Sequence, residues 1–197
     1  NKEGIHLIHV FEDDWIFQKE KTSSWLLAQL GAVTEIYNAR SLTAVKKSWI
    51  EIKDFVEKIH IQGAPAPAAE CYALVNSGGA VVAAMLFSSK NRPEGEIELE
   101  KFCTQGRVRG GFSKLLKAFV KEHGTNYSKI ISFSDKSWSK GGVYLANGFT
   151  VVGETPPRYF GTKGQKRYNR RGFQKQYLAK ILPNFDPTLT EDENCRN

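Results

Sequence analysis

Two apolar runs, Cys71 to Asn76 and Ala80 to Ser88, are joined by Ser77-Gly78-Gly79, and this pattern limits the folds open to the chain. Apolar runs of strand length closed by a glycine turn form a hairpin. Pro93-Glu94-Gly95 turns the chain again. From Glu96 to Thr104, Ile97 and Leu99 alternate with Glu96, Glu98 and Glu100, which predicts a strand with one buried and one polar face. The loop from Gln105 to Gly111 leads to a helix over Phe112 to about His123, with Leu115, Leu116, Phe119 and Val120 inward, and Lys129 to Phe133 follows as a short buried strand. Hairpins combined with a helical crossover imply an α/β (α+β) fold with a mixed central sheet flanked by helices, not a doubly wound nucleotide fold.

Around this centre, Glu35 to Val45 reads as a strand and Lys47 to His60 as a helix with Trp49, Ile50, Ile52, Phe55, Val56 and Ile59 as its apolar face. Pro65 and Pro67 bar its continuation. A short helix from Lys140 to Asn147, ended by Gly148, precedes an expected strand over Phe149 to Val152. Near the start, residues 4–11 read as a strand and Trp15 to Leu30 as a helix closed by Gly31. The 197 residues hold one full domain and at most a fragment of another. Three segments are expected: 1–34 as the end of a preceding domain or a linker, 35–160 as the main domain, and 161–197 as a basic tail. No apolar run approaches the ~20 residues of a membrane span, and the first residues lack a signal core. Cys71, Cys103 and Cys195 form no CxxC pair, so neither a disulfide framework nor a zinc ribbon is expected. A cytoplasmic location without membrane contact fits these features; oligomeric state is not legible.

The net charge is +7, and it is unevenly placed. From Arg158 to Lys180 there are eight basic residues, Arg158, Lys163, Lys166, Arg167, Arg170, Arg171, Lys175 and Lys180, and no acid, which leaves the remaining sequence at −1. Tyr159, Phe160, Tyr168, Phe173 and Tyr177 are interleaved with them. Basic residues beside aromatic rings suit phosphate contact with base stacking, so DNA is the expected partner; the competing reading is a solvated basic face whose rings pack on the core.

Two constellations point to chemistry. Arg107-Val-Arg-Gly110-Gly111 lies between a strand and a helix N-terminus, where backbone N–H groups and the helix dipole favour an anion and glycines let a pyrophosphate approach; an ordinary strand-to-helix turn is the alternative. Tyr144-Leu-Ala-Asn-Gly148-Phe149 offers a phenol suited to protonating a leaving sulfur, or to half-buried packing. Asp135, at a strand's C-terminal end, is placed either to accept a proton from an amino group or to cap the turn at Lys136-Ser137. His60 has the chemistry of a base, a metal ligand or a helix C-terminal partner, and Glu98 with His60 and Asp135 would form a site for divalent iron if the three converged. Glu12, Asp13 and Asp14 read as an acidic helix start.

With these residues in view, the stretch of about 35–160 resembles the GNAT acyltransferase superfamily, whose strand, Gln/Arg-x-x-Gly-x-Gly/Ala loop, helix, strand and Tyr-x-x-x-Gly-Phe it partly matches. Phe112 stands where the loop's small third residue is usual. The resemblance implies an acetyl-CoA or related acyl-CoA donor, with Arg107, Arg109, Gly110, Gly111 and Ser113 toward its pyrophosphate and Tyr144 near its thiol. A narrower resemblance is to the Mom family of phage DNA-modification enzymes. It is carried by Ile59-His60-Ile61-Gln62-Gly63, Glu98-Leu99-x-Lys101-Phe102, and Asp135-x-x-Trp138-x-x-Gly-x-x-Tyr144. It implies base modification in DNA in a bacterial host, with His60, Glu98, Asp135 and Tyr144 lining the active site and Arg158, Lys163, Lys166, Arg167, Arg170, Arg171 and Lys175 on the DNA. Gly4 to Trp15 also looks like the closing strand of Vsr-like nuclease domains in phage homing endonucleases, which implies the alternative of a non-catalytic DNA-recognition domain.

Overall fold

A computed structural model describes residues 7–68, 70–157 and 160–196. The chain forms two compact units, one of Asn1–His9 with Lys19–Thr150 and one of Val10–Gln18 with Val151–Asn197.

Helix α1 (Glu12–Phe17) belongs to the smaller unit; in the larger, α2 (Lys19–Gln29) precedes β1 (Ile36–Asn38), a 3-10 turn at Ala39–Ser41, β2 (Thr43–Lys47) and α3 (Trp49–Ile59). Ser48 and Glu51 close a capping box at the start of α3, satisfying two N-terminal donors. Then come β3 (Glu70–Val75), β4 (Val81–Ser88), β5 (Glu96–Thr104), β6 (Arg107–Arg109), α4 (Gly111–His123), β7 (Lys129–Ser132) and α5 (Gly142–Leu145). The β3–β4 turn is held by the Asn76 side chain, which accepts from the backbone of Gly78 and Ala80 at 3.0 Å each.

The central sheet has the order β2-β3-β4-β5-β7, antiparallel throughout except for the parallel pair β5–β7. It is the expected mixed sheet, with a helix against each face. On one face Phe112, Leu115 and Phe119 of α4 pack on Tyr72, Leu74, Met85, Phe87, Ile97 and Leu99, and the Phe87 and Phe119 rings stack at 3.7 Å. On the other, Ile52 and Val56 of α3 cover Cys71, Ala73, Ala84, Leu86 and Cys103. Alternation along β3 and β4 sends successive side chains to the two cores, which is why these strands read as unbroken apolar runs.

Several expectations are corrected. The strand expected over 35–45 is broken by the 3-10 turn, and β1 pairs instead with β6 in a separate two-stranded parallel ladder, Ile36 opposite Arg107 through Asn38 opposite Arg109. Residues 149–152 form no strand, and Val151 and Val152 are exposed. The Phe149 N–H donates to the Tyr144 backbone carbonyl at 3.2 Å and the Phe149 ring packs on Phe112, so the chain is held as the end of α5 rather than offered to a sheet edge. Residues 7–11 form no strand either, and 4–6 lie outside the described residues.

The smaller unit contains α1 (Glu12–Phe17), the hairpin β8 (Phe160–Lys163) and β9 (Lys166–Asn169), a 3-10 turn at Arg170–Phe173, α6 (Lys175–Ile181) and α7 (Glu191–Arg196). Gly164, at φ 58, makes the hairpin turn. The Phe173 ring lies so close to Gly161 that a Cβ there would meet it at 2.1 Å. Among the described residues no helix is long and apolar enough to cross a membrane.

Candidate functional site

The parallel pairing of β5 with β7 runs only from Glu96/Lys129 to Leu99/Ser132. Beyond it β5 continues for five residues to Thr104 while β7 has ended, so the two strands part and leave an open β5 edge. Ser132 Oγ closes the paired part by donating to the Leu99 carbonyl at 2.8 Å. At its far end β5 leads through Gly106 into β6 and then α4, bringing an open edge and a helix N-terminus to one end of the sheet.

At that N-terminus Gly110 adopts φ 74 and no side chain caps the helix, so the first-turn N–H groups have no side-chain acceptor. Gly111 is held close to its surroundings: a Cβ would sit 2.8 Å from Val108 Cγ1 and 3.5 Å from Leu74. The ladder with β1 places Arg107 and Arg109 on one exposed face of β6 and turns Val108 toward the core. Phe112 is buried rather than facing the loop, its ring meeting Phe102 at 5.0 Å and Tyr144 at 5.5 Å. The small positions are thus Gly110 and Gly111, and the bulk of Phe112 does not obstruct the turn. Ser113 and Lys114 are otherwise engaged. The Ser113 hydroxyl donates to the Asn147 side chain, and the Lys114 ammonium binds the carbonyls of Ala39 and Leu42. Beyond them a groove of about 620 Å³ is lined by Leu116, Lys117, Lys121 and Asn147 among others.

Tyr144 lies on α5, half-buried, with its ring 5.5 Å from both Phe112 and Phe149. The Asp135 carboxylate accepts from the Ser137 backbone at 2.9 Å and hydroxyl at 2.6 Å, so it holds the turn that follows it. Glu98 is ion-paired to Arg92 at 2.7 Å, and the Arg92 guanidinium lies 5.3 Å from the Phe133 ring.

His60 ends α3. Its Nδ1 accepts from the Gln62 backbone at 3.1 Å, which in the neutral ring leaves the proton on Nε2. Burial, with Lys101 and Lys21 adding to it, lowers its pKa to about 4. Lys101, from the facing strand, donates to Gln62 at 2.6 Å. Among the described residues no three His, Cys, Asp or Glu side chains assemble to hold a metal, so the expectation of divalent iron finds no support.

One residue that no sequence pattern singled out as a site enters here. The β4–β5 register shifts so that Leu86 faces Lys101 and Phe87 faces Leu99, leaving Glu100 as the extra residue of a bulge. Glu100 is also the first β5 residue past the last pair with β7. Its Oε2 is buried without a hydrogen-bond partner, and burial, reinforced by Glu98, raises its pKa. The alternation Glu96, Glu98, Glu100 concealed it, because a bulge is invisible in a period-two pattern.

In the basic segment, Arg167 is a structural cation. Its Nε binds Asp13 at 2.7 Å, its NH2 binds Asp14 at 2.6 Å, and its guanidinium lies 3.7 Å from the Phe11 ring. Burial alone would raise the Asp13 carboxyl, but hydrogen bonds from the Arg167 backbone and side chain outweigh it and lower its pKa. Asp13 and Asp14 are therefore more than an acidic helix start. Arg170 pairs with Glu191 at 3.6 Å and Lys175 donates to the Pro187 carbonyl at 3.1 Å. Lys163, Lys166 and Arg171 are exposed; Arg158 lies outside the described residues. The sequence ranges of the two units carry nine basic and eight acidic residues in the smaller (+1), and nineteen and thirteen in the larger (+6). The acids of 12–14 and 186–193 share a unit with the basic segment, so the larger unit is not the near-neutral body that segment counting implied. Lys101, Arg107, Arg109, Lys114, Lys117 and Lys121, with no acid among them, contribute to its excess.

No family model matches the sequence, and no curated protein matches it significantly. Among solved structures, an acetyltransferase of the GNAT family from Streptococcus pneumoniae aligns over 62% of this chain and 99% of its own, at 12% identity and a TM-score of 0.45. A transcriptional regulator from Bacillus halodurans aligns over 60% and 99%, at 14% identity and 0.46. An integron cassette protein from the mobile metagenome of V. cholerae aligns over 63% and 93%, at 12% and 0.43. At such identities and scores neither chemistry nor partner passes from them to this chain.

Proposed function

We propose that the larger unit is a GNAT-type acyltransferase domain that binds an acyl-CoA donor at the N-terminus of α4 and transfers the acyl group to an amine. The observation that carries this reading is the parting of β5 from β7 after Leu99/Ser132, at the same end of the sheet as the uncapped turn at Gly110 and Gly111. The exposed Arg107 and Arg109 and the first-turn N–H groups of α4 form a donor set that fits a diphosphate. A bound acyl-CoA supplies a thioester-activated acyl group. Glu100, with its raised pKa and unpartnered Oε2, is the proposed base that takes the proton from the attacking amine. The Tyr144 phenol is the proposed acid that returns a proton to the leaving sulfur.

The acceptor we propose is an amino group of a DNA base, as in the Mom family that the sequence resembles, with Lys163, Lys166 and Arg171 toward phosphate. Nucleosides from DNA incubated with the protein and acetyl-CoA are expected to show an added acyl mass, lost in Glu100→Gln and reduced in Tyr144→Phe. Turnover of acetyl-CoA with peptide amines but never with DNA would overturn the acceptor and keep the transferase. One observation favours a non-catalytic DNA-recognition domain instead: Ser113 and Lys114, beside the anion site, both bind protein groups. Duplex binding with no acetyl-CoA binding would establish that alternative.

A further inference from the structure

In the smaller unit, three exposed phenyl rings each have a cation set against them. The Arg167 guanidinium lies 3.7 Å from the centroid of Phe11 and 5.3 Å from that of Phe160, and Lys166 Nζ lies 4.5 Å from that of Phe17. The rings stay 47%, 52% and 50% exposed. Asp13 and Asp14 bind the nitrogens of the same guanidinium, so Phe11 and Phe160 are mounted on an immobilised support. In the β8–β9 register Thr162 is opposite Arg167 and Phe160 opposite Asn169, which puts Phe160 and Arg167 on one face of the hairpin.

We infer that these rings, Phe11 and Phe160 on Arg167 at one face of the hairpin and Phe17 on Lys166 at the other, are a preformed stacking platform for the unpaired bases of a single nucleic-acid strand. Half-exposed aromatic rings call for a partner with a flat apolar face, and the neighbouring Lys163 and Lys166 call for negative charge. A single strand offers both along its length. A duplex offers its phosphates but hides its base faces in the stack. An anionic membrane would be drawn mainly by charge, and this unit carries only +1. The same small charge means that stacking, rather than counterion release, supplies most of the affinity.

The inference rests on the nucleic-acid part of the proposed function and is independent of acyl transfer. The test is fluorescence anisotropy of the full chain, without acyl-CoA, against a labelled 15-nucleotide oligo-dT, a 15-base-pair duplex and vesicles of phosphatidylserine. The single strand is expected to bind at least tenfold more tightly than the duplex. The slope of log affinity against log salt should be about −2, the value for some three phosphate contacts on a single strand. Phe17→Leu with Phe160→Leu keeps apolar bulk, and is expected to weaken single-strand binding about tenfold while the melting temperature stays within a few degrees. Equal affinity for strand and duplex, or an unaffected double variant, overturns the platform and leaves DNA as a partner. Binding to vesicles with none to either oligonucleotide overturns the platform and the DNA acceptor together.

Discussion

Arg167 separates the charge pattern of the sequence from the charge arrangement of the folded chain. As one of eight basic residues in an acid-free stretch it reads as a phosphate contact. In the structure its side chain is 19% exposed and binds Asp13 and Asp14, themselves 14% and 7% exposed. Arg167→Gln removes two charge-assisted hydrogen bonds, one to each of two mostly buried carboxylates. At about 1.5–3 kcal/mol for each such bond, discounted because the pairs are not fully dry, the loss should be about 3 kcal/mol. For a unit this small, 1 kcal/mol corresponds to roughly 4–8 °C, so its melting transition should fall by more than 10 °C. Urea titration at pH 7, followed by the fluorescence of Trp15 after the other tryptophans are replaced by phenylalanine, reads this unit. Lowering the pH should narrow the gap between wild type and variant. Arg167 holds the Asp13 pKa below its unfolded value, so the stabilisation is present above the unfolded pKa and is lost as pH falls through the folded one. The contrasting Lys163→Ala should leave stability unchanged and make the salt slope of nucleic-acid binding shallower. A stable Arg167→Gln protein with a reduced salt slope would show that Arg167 contacts phosphate, and would refute the structural reading.

Three further outcomes follow from the larger unit. With a folded pKa of about 4 against 6.5 in the unfolded chain, His60 makes the fold lose stability as pH falls from 6.5 toward 4, by at most roughly 3 kcal/mol, and denaturation across that range should find the loss diminished in His60→Gln. Gly106 adopts φ 64, and a Cβ there would meet the Glu35 carbonyl at 2.4 Å. Gly106→Ala should therefore disturb the β1–β6 ladder and weaken acyl-CoA binding together with stability, measured by calorimetry and thermal melting. Phe112→Ala empties the centre of the Phe102–Tyr144–Phe149 cluster and should cost about 3–5 kcal/mol in denaturant titration; a loss under 1 kcal/mol would show that the cluster is not packed as described.

The hairpin at Asn76 to Gly79, the alternating strand at 96–104 and the amphipathic helices at 49–59 and 111–123 were legible because local pattern and burial agree there: the hairpin strands are apolar and buried on both faces, Glu96 to Leu99 alternates, and each helix has a single apolar face. β6 was not, since three residues with two exposed arginines carry no periodic signal and are held as a strand by β1, some seventy residues away. The run Phe149 to Val152 has strand composition, yet Phe149 is drawn into the ring cluster under Tyr144, and contact chemistry outweighs propensity there. The glycine turn at Gly110 and Gly111 before α4 and the short helix carrying Tyr144 were legible from spacing. Glu100 was not, because its exceptional position comes from a bulge and from the end of the β7 pairing. The roles of Asp13, Asp14 and Arg167 depended on a contact across more than 150 positions, which no count along the chain reveals.

Calorimetric titration of the full chain with acetyl-CoA, repeated on Arg107→Ala with Arg109→Ala, tests the central claim. One-to-one binding in the micromolar range, weakened at least tenfold in the double variant with its melting temperature unchanged, is the expected result. No heat of binding to the folded wild-type protein, or equal binding by the variant, would contradict an acyl-CoA site at the N-terminus of α4.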